Sequence, residues 1–97
     1  MSQCWALDAA AAEGYEARYV EFMEMHRAQP GFRRRLSLRG VDDPLHLINV
    51  RFFDDAEAYH EMVATPGYGE HIDALSQFLD LGRMLPKEYL DVVIDGD

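Results

Sequence analysis

The side chains most suited to acid–base chemistry stand on both sides of one short break in the second half of the sequence. Tyr59 and His60 precede the Thr-Pro-Gly break, and Tyr68 and His71 follow it. Imidazole titrates near neutral pH, which makes His71 a candidate general base. Tyr68 and His71 are three residues apart and so share one side of a helix. Two interpretations of His71 stay open, because a lone histidine is more often hydrogen-bonded at the edge of a core.

Groups that could orient a ligand accompany this histidine. Tyr59 and Tyr68 offer phenol hydroxyls, and Arg51 and Asn49 form a polar pair on one face of a predicted strand. One interpretation of this mixture is a pocket for a small, hydrophobic aromatic ligand. Asn49 and Arg51 are interface residues instead if their face of the sheet looks toward a second subunit. The alternative is an ordinary core, which the helical spacing of the aromatic residues also predicts. The predicted catalytic residues are His71, Tyr59 and Tyr68, and the predicted substrate-binding residues are Arg51, Asn49, Trp5, His60 and Phe22.

The motifs of cofactor and metal enzymes are missing from the sequence. There is no GxGxxG, no P-loop and no CxxC, and Ala64 stands where an HExxH motif begun by His60 needs its second histidine. We therefore expect no cofactor and no metal.

Three arginines, Arg33, Arg35 and Arg39, alternate along a predicted strand of an otherwise acidic protein. One interpretation is capture of an anionic or enolate substrate. The other is pairing with acidic residues of a second subunit, or a charged sheet edge that discourages further strand addition. The second interpretation is the more common role for such charges.

Length and charge narrow the possible partners. The 97 residues predict one domain, spanning 1–97, and 48% of them are hydrophobic, as in ordinary globular proteins. A net charge of −9 disfavours nucleic acid and anionic membranes as partners. Cys4 is the sole cysteine, and the N-terminus lacks the pattern of a signal peptide. These features predict a cytoplasmic protein.

Periodicity predicts the elements that position the candidate residues. Gln3 to Leu7 reads as a short strand, and a helix beginning at Asp8 or Glu13 runs to about Ala28. Its predicted inner face is formed by Ala12, Tyr15, Tyr19, Phe22, Met23 and His26. Phe32 to Arg39 alternates as a strand does, residues 40–44 are turn-forming, and His46 to Phe53 is a second strand. The two strands form an antiparallel hairpin.

The second half predicts a broken helix and a closing strand. Asp54, with Glu57 three residues on, has capping-box spacing for a helix over Asp55 to Ala64. The predicted inner side of this helix comprises Ala56, Tyr59, His60 and Val63. A further helix covers Tyr68 to about Leu81, and Tyr89 to Ile94 reads as a last strand. The order is β-α-β-β-α-β, a ferredoxin-like α+β fold with a four-stranded antiparallel sheet and helices on one face. A second copy of the chain is the simplest cover for the other face.

Five short sequence features follow one another along the chain. They are Pro30-Gly31-Phe32, Asp42-Asp43-Pro44, the aromatic strand end Phe52-Phe53, Asp54-x-x-Glu57-Ala58, and Pro66 before a helix. Together they make the chain resemble the antibiotic biosynthesis monooxygenase-like family. The resemblance covers nearly the whole chain. It implies a homodimer whose two sheets form a joint α+β barrel, with a ligand cavity between sheet and helices in each subunit.

The resemblance also implies a range of activities. Its characterised members include cofactor-independent oxygenases of aromatic polyketides and haem-degrading enzymes. Both groups carry an Asn near the first strand and a Trp on the second helix. Here Gln3, Cys4 and Trp5 form the first strand, and the second helix has no Trp. The leading expectation is a small cofactor-independent monooxygenase of polyketide-type metabolism, acting on a flat phenolic or anthrone-like substrate. The alternatives are a polyketide cyclase, or a non-catalytic ligand-binding or stress-response dimer.

Overall fold

A computed structural model describes residues 1–96. Three strands form one antiparallel sheet in the order β1-β3-β2. Three helices lie between and after the strands along the chain, which makes the fold α+β. The elements in chain order are β1 (Ser2–Trp5), α1 (Ala9–Arg27), β2 (Phe32–Arg39), β3 (His46–Phe53), α2 (Ala56–Val63) and α3 (Tyr68–Ser76).

The predicted hairpin is confirmed with the same bounds for both strands. Leu36 stands opposite Val50 and Leu38 opposite Ile48, with an irregularity between Phe32 and Arg34. The turn closes where the Gly40 amide donates to the His46 carbonyl, 2.9 Å away. Alternation along both strands and turn chemistry between them were sufficient to predict the strand bounds.

Helix α1 begins where an aspartate can cap it. The Asp8 carboxylate accepts from the amide of Ala11 at 2.7 Å, and the helix ends at Arg27. Its buried residues lie three or four positions apart and pack against the sheet. They are Ala12, Tyr15, Tyr19, Phe22 and His26, which confirms five of the six predicted inner positions.

Helix α2 departs from the prediction in its cap and in its buried face. Asp55 accepts from the amide of Ala58 at 2.9 Å and is the N-cap, whereas Asp54 pairs with Arg33. Met62 is the residue of this helix that is fully buried. The predicted inner residues Ala56, His60 and Val63 are exposed, because the helix is rotated about its axis so that Met62 fills the core.

Helix α3 ends at Ser76, five residues before the predicted end at Leu81. The chain tightens there, since the amides of Phe78 and Leu79 donate to Leu75 and Ser76, three residues back. This turn lets Leu79 form an isolated bridge with Ala6 beside β1. The break between α2 and α3 lies at residues 64–67 and begins one residue before the predicted break at 65–67.

The predicted fourth strand, Tyr89 to Ile94, is wrong for the described chain. The Leu85 and Glu88 amides donate to the carbonyls of Gln3 and Met1, which places residues 85–88 along the outer edge of β1. Strand β1 has four residues, and the chain beyond Glu88 passes its end without a ladder partner. Val93 and Ile94 are 89% and 88% exposed.

The two faces of the sheet differ. Arg35 and Arg51 contact residues of the helices, so their side of β2 and β3 is the helix-covered face. Strand alternation turns their neighbours to the opposite side. This bare face carries Leu36, Leu38, Ile48, Val50 and Phe52. Helices therefore cover one side of the sheet, as predicted.

Gly31 joins the hairpin closely to α2. Its carbonyl accepts from the amide of Asp54 at 2.8 Å. A Cβ at Gly31 would lie 2.3 Å from the Cβ of Ala58, well inside van der Waals contact. A glycine is therefore required for α2 to lie this close to the start of β2. None of the helices within residues 1–96 has the length and apolar character needed to cross a membrane.

Candidate functional site

Arg51 lies at the centre of the polar groups on the helix-covered face. Its Nη1 donates to the hydroxyl of Tyr68 and to Nε2 of His26, each at 3.2 Å. Burial opposes the charge of Arg51, but the phenols of Tyr19 and Tyr68 favour it, and the net shift of the Arg51 pKa is upward. Arg51 is therefore a permanent cation among neutral partners.

His26, completely buried on α1, holds this guanidinium in place. Its Nδ1 lies 2.9 Å from the carbonyl of Phe22 and must carry the hydrogen, because a carbonyl only accepts. Nε2 is then free to accept from Arg51. Burial lowers the pKa of His26 to about 4, outweighing the hydrogen bond to Phe22 that raises it. The imidazole is therefore neutral at pH 7, which its role as an acceptor requires.

Two predicted site tyrosines meet at Arg51. The Arg51 guanidinium carbon lies 5.4 Å from the ring centre of Tyr59 and 6.0 Å from that of Tyr68. The hydroxyl of Tyr59 accepts from Nζ of Lys87 at 2.9 Å. Helix α2, the start of α3, β3 and the segment 85–88 thus place two phenols and two cations together.

His71, on α3, is half-buried against α1. Its ring stacks on Phe22 with a centre-to-centre distance of 4.9 Å and an angle of 18°. Its Nδ1 is buried and has no hydrogen-bond partner within residues 1–96. Arg51, His26, Tyr59, Tyr68 and Lys87 are called the Arg51 cluster below. Phe22 packs against His26 and Tyr68 of this cluster and holds His71 beside it.

The remaining predicted site residues lie away from Arg51. Asn49 is on the helix-covered face, where it donates to the hydroxyl of Tyr15 at 2.8 Å and accepts from Ser37 at 2.9 Å. Trp5 stacks on His46 at 4.4 Å, on the bare side of the sheet. His60 is exposed on α2.

Two spaces open beside Arg51. The edge groove, of about 400 Å³, lies where β3 extends past the end of β1. The inner cavity, of about 120 Å³, lies between the sheet, α1 and α3. Arg51 and Lys87 line both spaces, Tyr59 lines the groove and Phe22 lines the cavity. A ligand in the groove can therefore reach the Arg51 cluster directly, whereas His71 lines neither space.

Sequence reasoning did not single out several residues that contribute to this cluster. His26 reads as an ordinary core position of α1, and Lys87 falls in a predicted loop. The signal for His26 was its place on the same helical face as Tyr19 and Phe22, and Lys87 is the sole lysine.

Tyr15 and Cys4 are buried below the cluster, and burial raises the pKa of both. They are neutral at pH 7.

The arrangement is suited to holding an anion. Two cations and several neutral hydrogen-bonding groups meet, and no carboxylate within residues 1–96 forms an ion pair with Arg51 or Lys87. Preorganised donors of this kind stabilise negative charge that develops on a bound molecule. In the same described part of the chain, no three His, Cys, Asp or Glu side chains come together as a metal site.

The chain is similar to known proteins in sequence and in structure. The family model described as antibiotic biosynthesis monooxygenase matches residues 5–74. No protein of curated function gives a significant sequence match.

Solved structures extend this likeness to the fold. SnoaB, a cofactor-independent oxygenase from Streptomyces nogalater, superposes with a TM-score of 0.73 at 24% identity, covering 81% of this chain and 79% of SnoaB. A candidate antibiotic biosynthesis monooxygenase from Nitrosomonas europaea gives 0.76 at 15% identity, covering 98% and 90% of the two chains. Another from Deinococcus radiodurans gives 0.73 at 20% identity, covering 98% and 96%. The common fold is the ferredoxin-like α+β arrangement.

Proposed function

This chain belongs to the antibiotic biosynthesis monooxygenase family, and from that premise we propose that it is a small cofactor-independent monooxygenase of polyketide-type secondary metabolism. The proposed substrate is a flat phenolic or anthrone-like molecule. SnoaB, which has a similar fold, is described as a cofactor-independent oxygenase. That description supports the reaction class proposed here.

The observation that carries the proposal is the Arg51 cluster. A phenolic or anthrone-type substrate must lose a proton before its carbon can react with oxygen, and the resulting enolate bears negative charge on its oxygen. Arg51, with the hydroxyl of Tyr68 at 3.2 Å, offers fixed positive charge in a partly dehydrated space. Fixed charge in such a space lowers the energy of the enolate more than water does.

The edge groove supports binding of a flat ligand. Its volume of about 400 Å³ falls within the usual range for small-molecule pockets. Phe53, Tyr59 and Tyr89 supply aromatic surface, and Arg51 and Lys87 supply positive charge. Asp55, Glu88 and Asp91 also line the groove, and none of them forms an ion pair with Arg51 or Lys87. We propose that the ring system lies along the groove with its oxygens toward Arg51.

In the proposed reaction, His71 removes the proton from the substrate carbon, and Tyr59 and Tyr68 orient the ring. The carbanion gives its electrons to O₂. One oxygen atom remains on the carbon as a carbonyl, and the other leaves as water after taking the two protons lost by a CH₂ group. A side-chain movement that carries the His71 ring away from Phe22 is part of this proposal.

We propose that the working form is a homodimer packed through the bare face. That face presents Leu36, Leu38, Ile48, Val50 and Phe52, and Leu38 is 47% exposed in the single chain. The exposed tail adds Leu90, Val92, Val93 and Ile94. Burying such apolar surface against a second copy is favourable.

A cytosolic location is part of the same proposal. Cys4 is a free, buried thiol and the only cysteine in the sequence. A protein of this size without disulfides is suited to a reducing compartment.

Two alternatives use the same geometry. A polyketide cyclase would need the same enolate stabilisation, followed by attack on a carbonyl of the same molecule rather than on O₂. A non-catalytic ligand-binding or stress-response dimer would need the groove alone, and it is favoured by the position of His71 outside the groove.

Oxygen uptake with dithranol, a 1,8-dihydroxyanthrone, tests the proposal. We expect uptake above the uncatalysed rate, with the anthraquinone as product and no added cofactor. His71→Ala should lower turnover by about a hundredfold or more, the usual contribution of a general base. Its thermal stability should stay close to that of the wild type.

Three outcomes would point elsewhere. Tight binding of dithranol with oxygen uptake at the background rate overturns the oxygenase and supports the binding protein. Ring closure of a poly-β-ketone without oxygen uptake supports the cyclase. A His71→Ala variant that is much less stable but retains full turnover shows that His71 is structural.

A further inference from the structure

The helix-covered face holds two arginines directly opposite one another. Arg35 of β2 is the cross-strand partner of Arg51 of β3, and the two are called the arginine pair below. Side chains at such positions lie side by side, and like charges there destabilise a sheet. A pair of this kind would normally be offset by carboxylates.

Carboxylates are plentiful in this protein, but none within residues 1–96 forms an ion pair with the arginine pair. The chain carries 18 acidic residues, and the arginines that form ion pairs within residues 1–96 are Arg18, Arg27, Arg33, Arg39 and Arg83. Glu16 lines the cavity beside Arg35 but pairs with Arg39. The two arginines therefore carry uncompensated charge under α1.

The hydrogen-bonding groups of Arg35 are largely unused. Its Nε and Nη1 are buried and have no partner within the described chain. Its Nη2 contacts the sulfur of Met23 at 2.7 Å, a weak acceptor. The guanidinium carbon lies 4.5 Å from the ring centre of Tyr19. Buried donors without partners are costly, so an anion that accepted from them would bind favourably.

Open space reaches both members of the arginine pair. A cavity of about 210 Å³ lies beside Arg35, and the inner cavity lies beside Arg51. Tyr15 and Tyr19 line both cavities and form the partition between them. A small group entering from either side meets one guanidinium and has the second across the partition.

We propose that the arginine pair is an anion site and that the natural ligand is an aromatic molecule bearing a carboxylate. A carboxylate has two coplanar oxygens, which match the paired donors of a guanidinium better than a single phenolate oxygen does. The inference rests on the proposed function for the aromatic part of the ligand. The anion site itself rests on the arginine pair alone.

The probes for this site are 1-hydroxy-2-naphthoate and its neutral amide, 1-hydroxy-2-naphthamide, which differ in charge and hardly in shape. Calorimetric titration should show the naphthoate binding at least about tenfold more tightly than the amide. Arg35→Gln and Arg51→Gln should each remove most of that preference, and Arg35→Gln should leave amide binding close to its wild-type value. The matched control is Arg33→Gln. Arg33 lies on β2 like Arg35, but it is exposed and pairs with Asp54, so this variant should change neither the naphthoate preference nor the amide binding.

Stability without ligand gives a second readout. Removing one of two facing like charges should not lower the melting temperature, so Arg35→Gln should melt at or above the wild-type temperature. An arginine kept for packing would instead give a fall. Loss of naphthoate preference with unchanged or raised melting temperature is the expected combination.

Several outcomes would overturn the anion site. Equal binding of naphthoate and amide would do so, as would an equal loss of preference in Arg33→Gln. If the charge is compensated by carboxylates of a second subunit, Arg35→Gln and Arg51→Gln will weaken the oligomer in light scattering and the wild type will lack naphthoate preference. These titrations need no turnover, so naphthoate preference can be found when dithranol is not oxidised, and dithranol can be oxidised when naphthoate preference is absent. The two proposals can therefore fail separately.

Discussion

The two faces of this sheet differ in where their polar residues lie. The face under the helices carries Arg35, Ser37, Asn49 and Arg51 beside the core residues Cys4 and Leu47. The bare face carries Leu36, Leu38, Ile48, Val50 and Phe52 together with Arg34 and His46. A sheet with one solvated face normally keeps its polar residues on that face and apolar residues under the helices. Polar groups under the helices fit the proposed ligand site, and the apolar stripe on the bare face fits the proposed homodimer.

The largest test of this comparison is a charge on the bare face. Val50→Asp should weaken the proposed homodimer by about 3–5 kcal/mol, because it buries a carboxylate without a partner. Light scattering across a wide protein concentration measures the effect. Val41→Asp, at a turn position that is 95% exposed, is the control and should leave assembly unchanged. A wild-type protein that is a folded monomer at micromolar concentration would contradict the division between the faces.

Acid should act on the covered face through His26. Its pKa is about 4 in the folded protein and near 6.5 when unfolded, so between these values the unfolded chain binds the proton and the folded chain does not. Stability therefore falls as pH falls through this window, with a contribution from His26 of about 2.5 kcal/mol between pH 7.5 and 4.5. Urea unfolding at both pH values should show a loss in His26→Gln that is smaller by about this amount. Equal losses in the two proteins would mean that His26 does not resist protonation.

The smallest expected effect concerns Tyr59, which lines the groove beside Arg51. Tyr59→Phe removes the hydroxyl that accepts from Lys87 and keeps the ring. We expect a loss of about 1 kcal/mol in dithranol binding, or about fivefold in KM, with little change in kcat. Steady-state kinetics and a melting curve measure it. A fall in kcat as large as that of His71→Ala would make Tyr59 a participant in proton transfer.

The sequence predicted the middle of the fold better than its ends. The hairpin from Phe32 to Phe53 could be placed to the residue because strand alternation and turn chemistry are local. The last strand could not, because Tyr89 to Ile94 has the composition of a buried strand but finds no edge to pair with. Its apolar character indicates that the segment favours burial, but it does not identify the surface that buries it.

The candidate site was predictable in composition but not in arrangement. His71, Tyr59 and Tyr68 were expected to meet over a ligand, with Arg51 or Asn49 reaching them from the sheet. Arg51 lies beside Tyr59 and Tyr68, whereas His71 stacks on Phe22 and lines neither space beside Arg51. His26 was missed, because its role depends on a contact with Arg51 that joins elements 25 residues apart. Trp5 was placed with the site, but a one-residue alternation in β1 puts it on the bare side.

The close approach of Gly31 to Ala58 has a consequence for substrate range. Helix α2 carries Ala56 and Tyr59, which form one wall of the edge groove. The distance of that wall from the sheet is fixed by backbone contact at Gly31 rather than by the side chains that touch the ligand. Relatives could therefore accept bulkier ring systems by changing the residue at this position, with every groove-lining residue retained. Selection for a new ligand would then appear in the sequence at the start of β2, at a residue that does not itself line the groove.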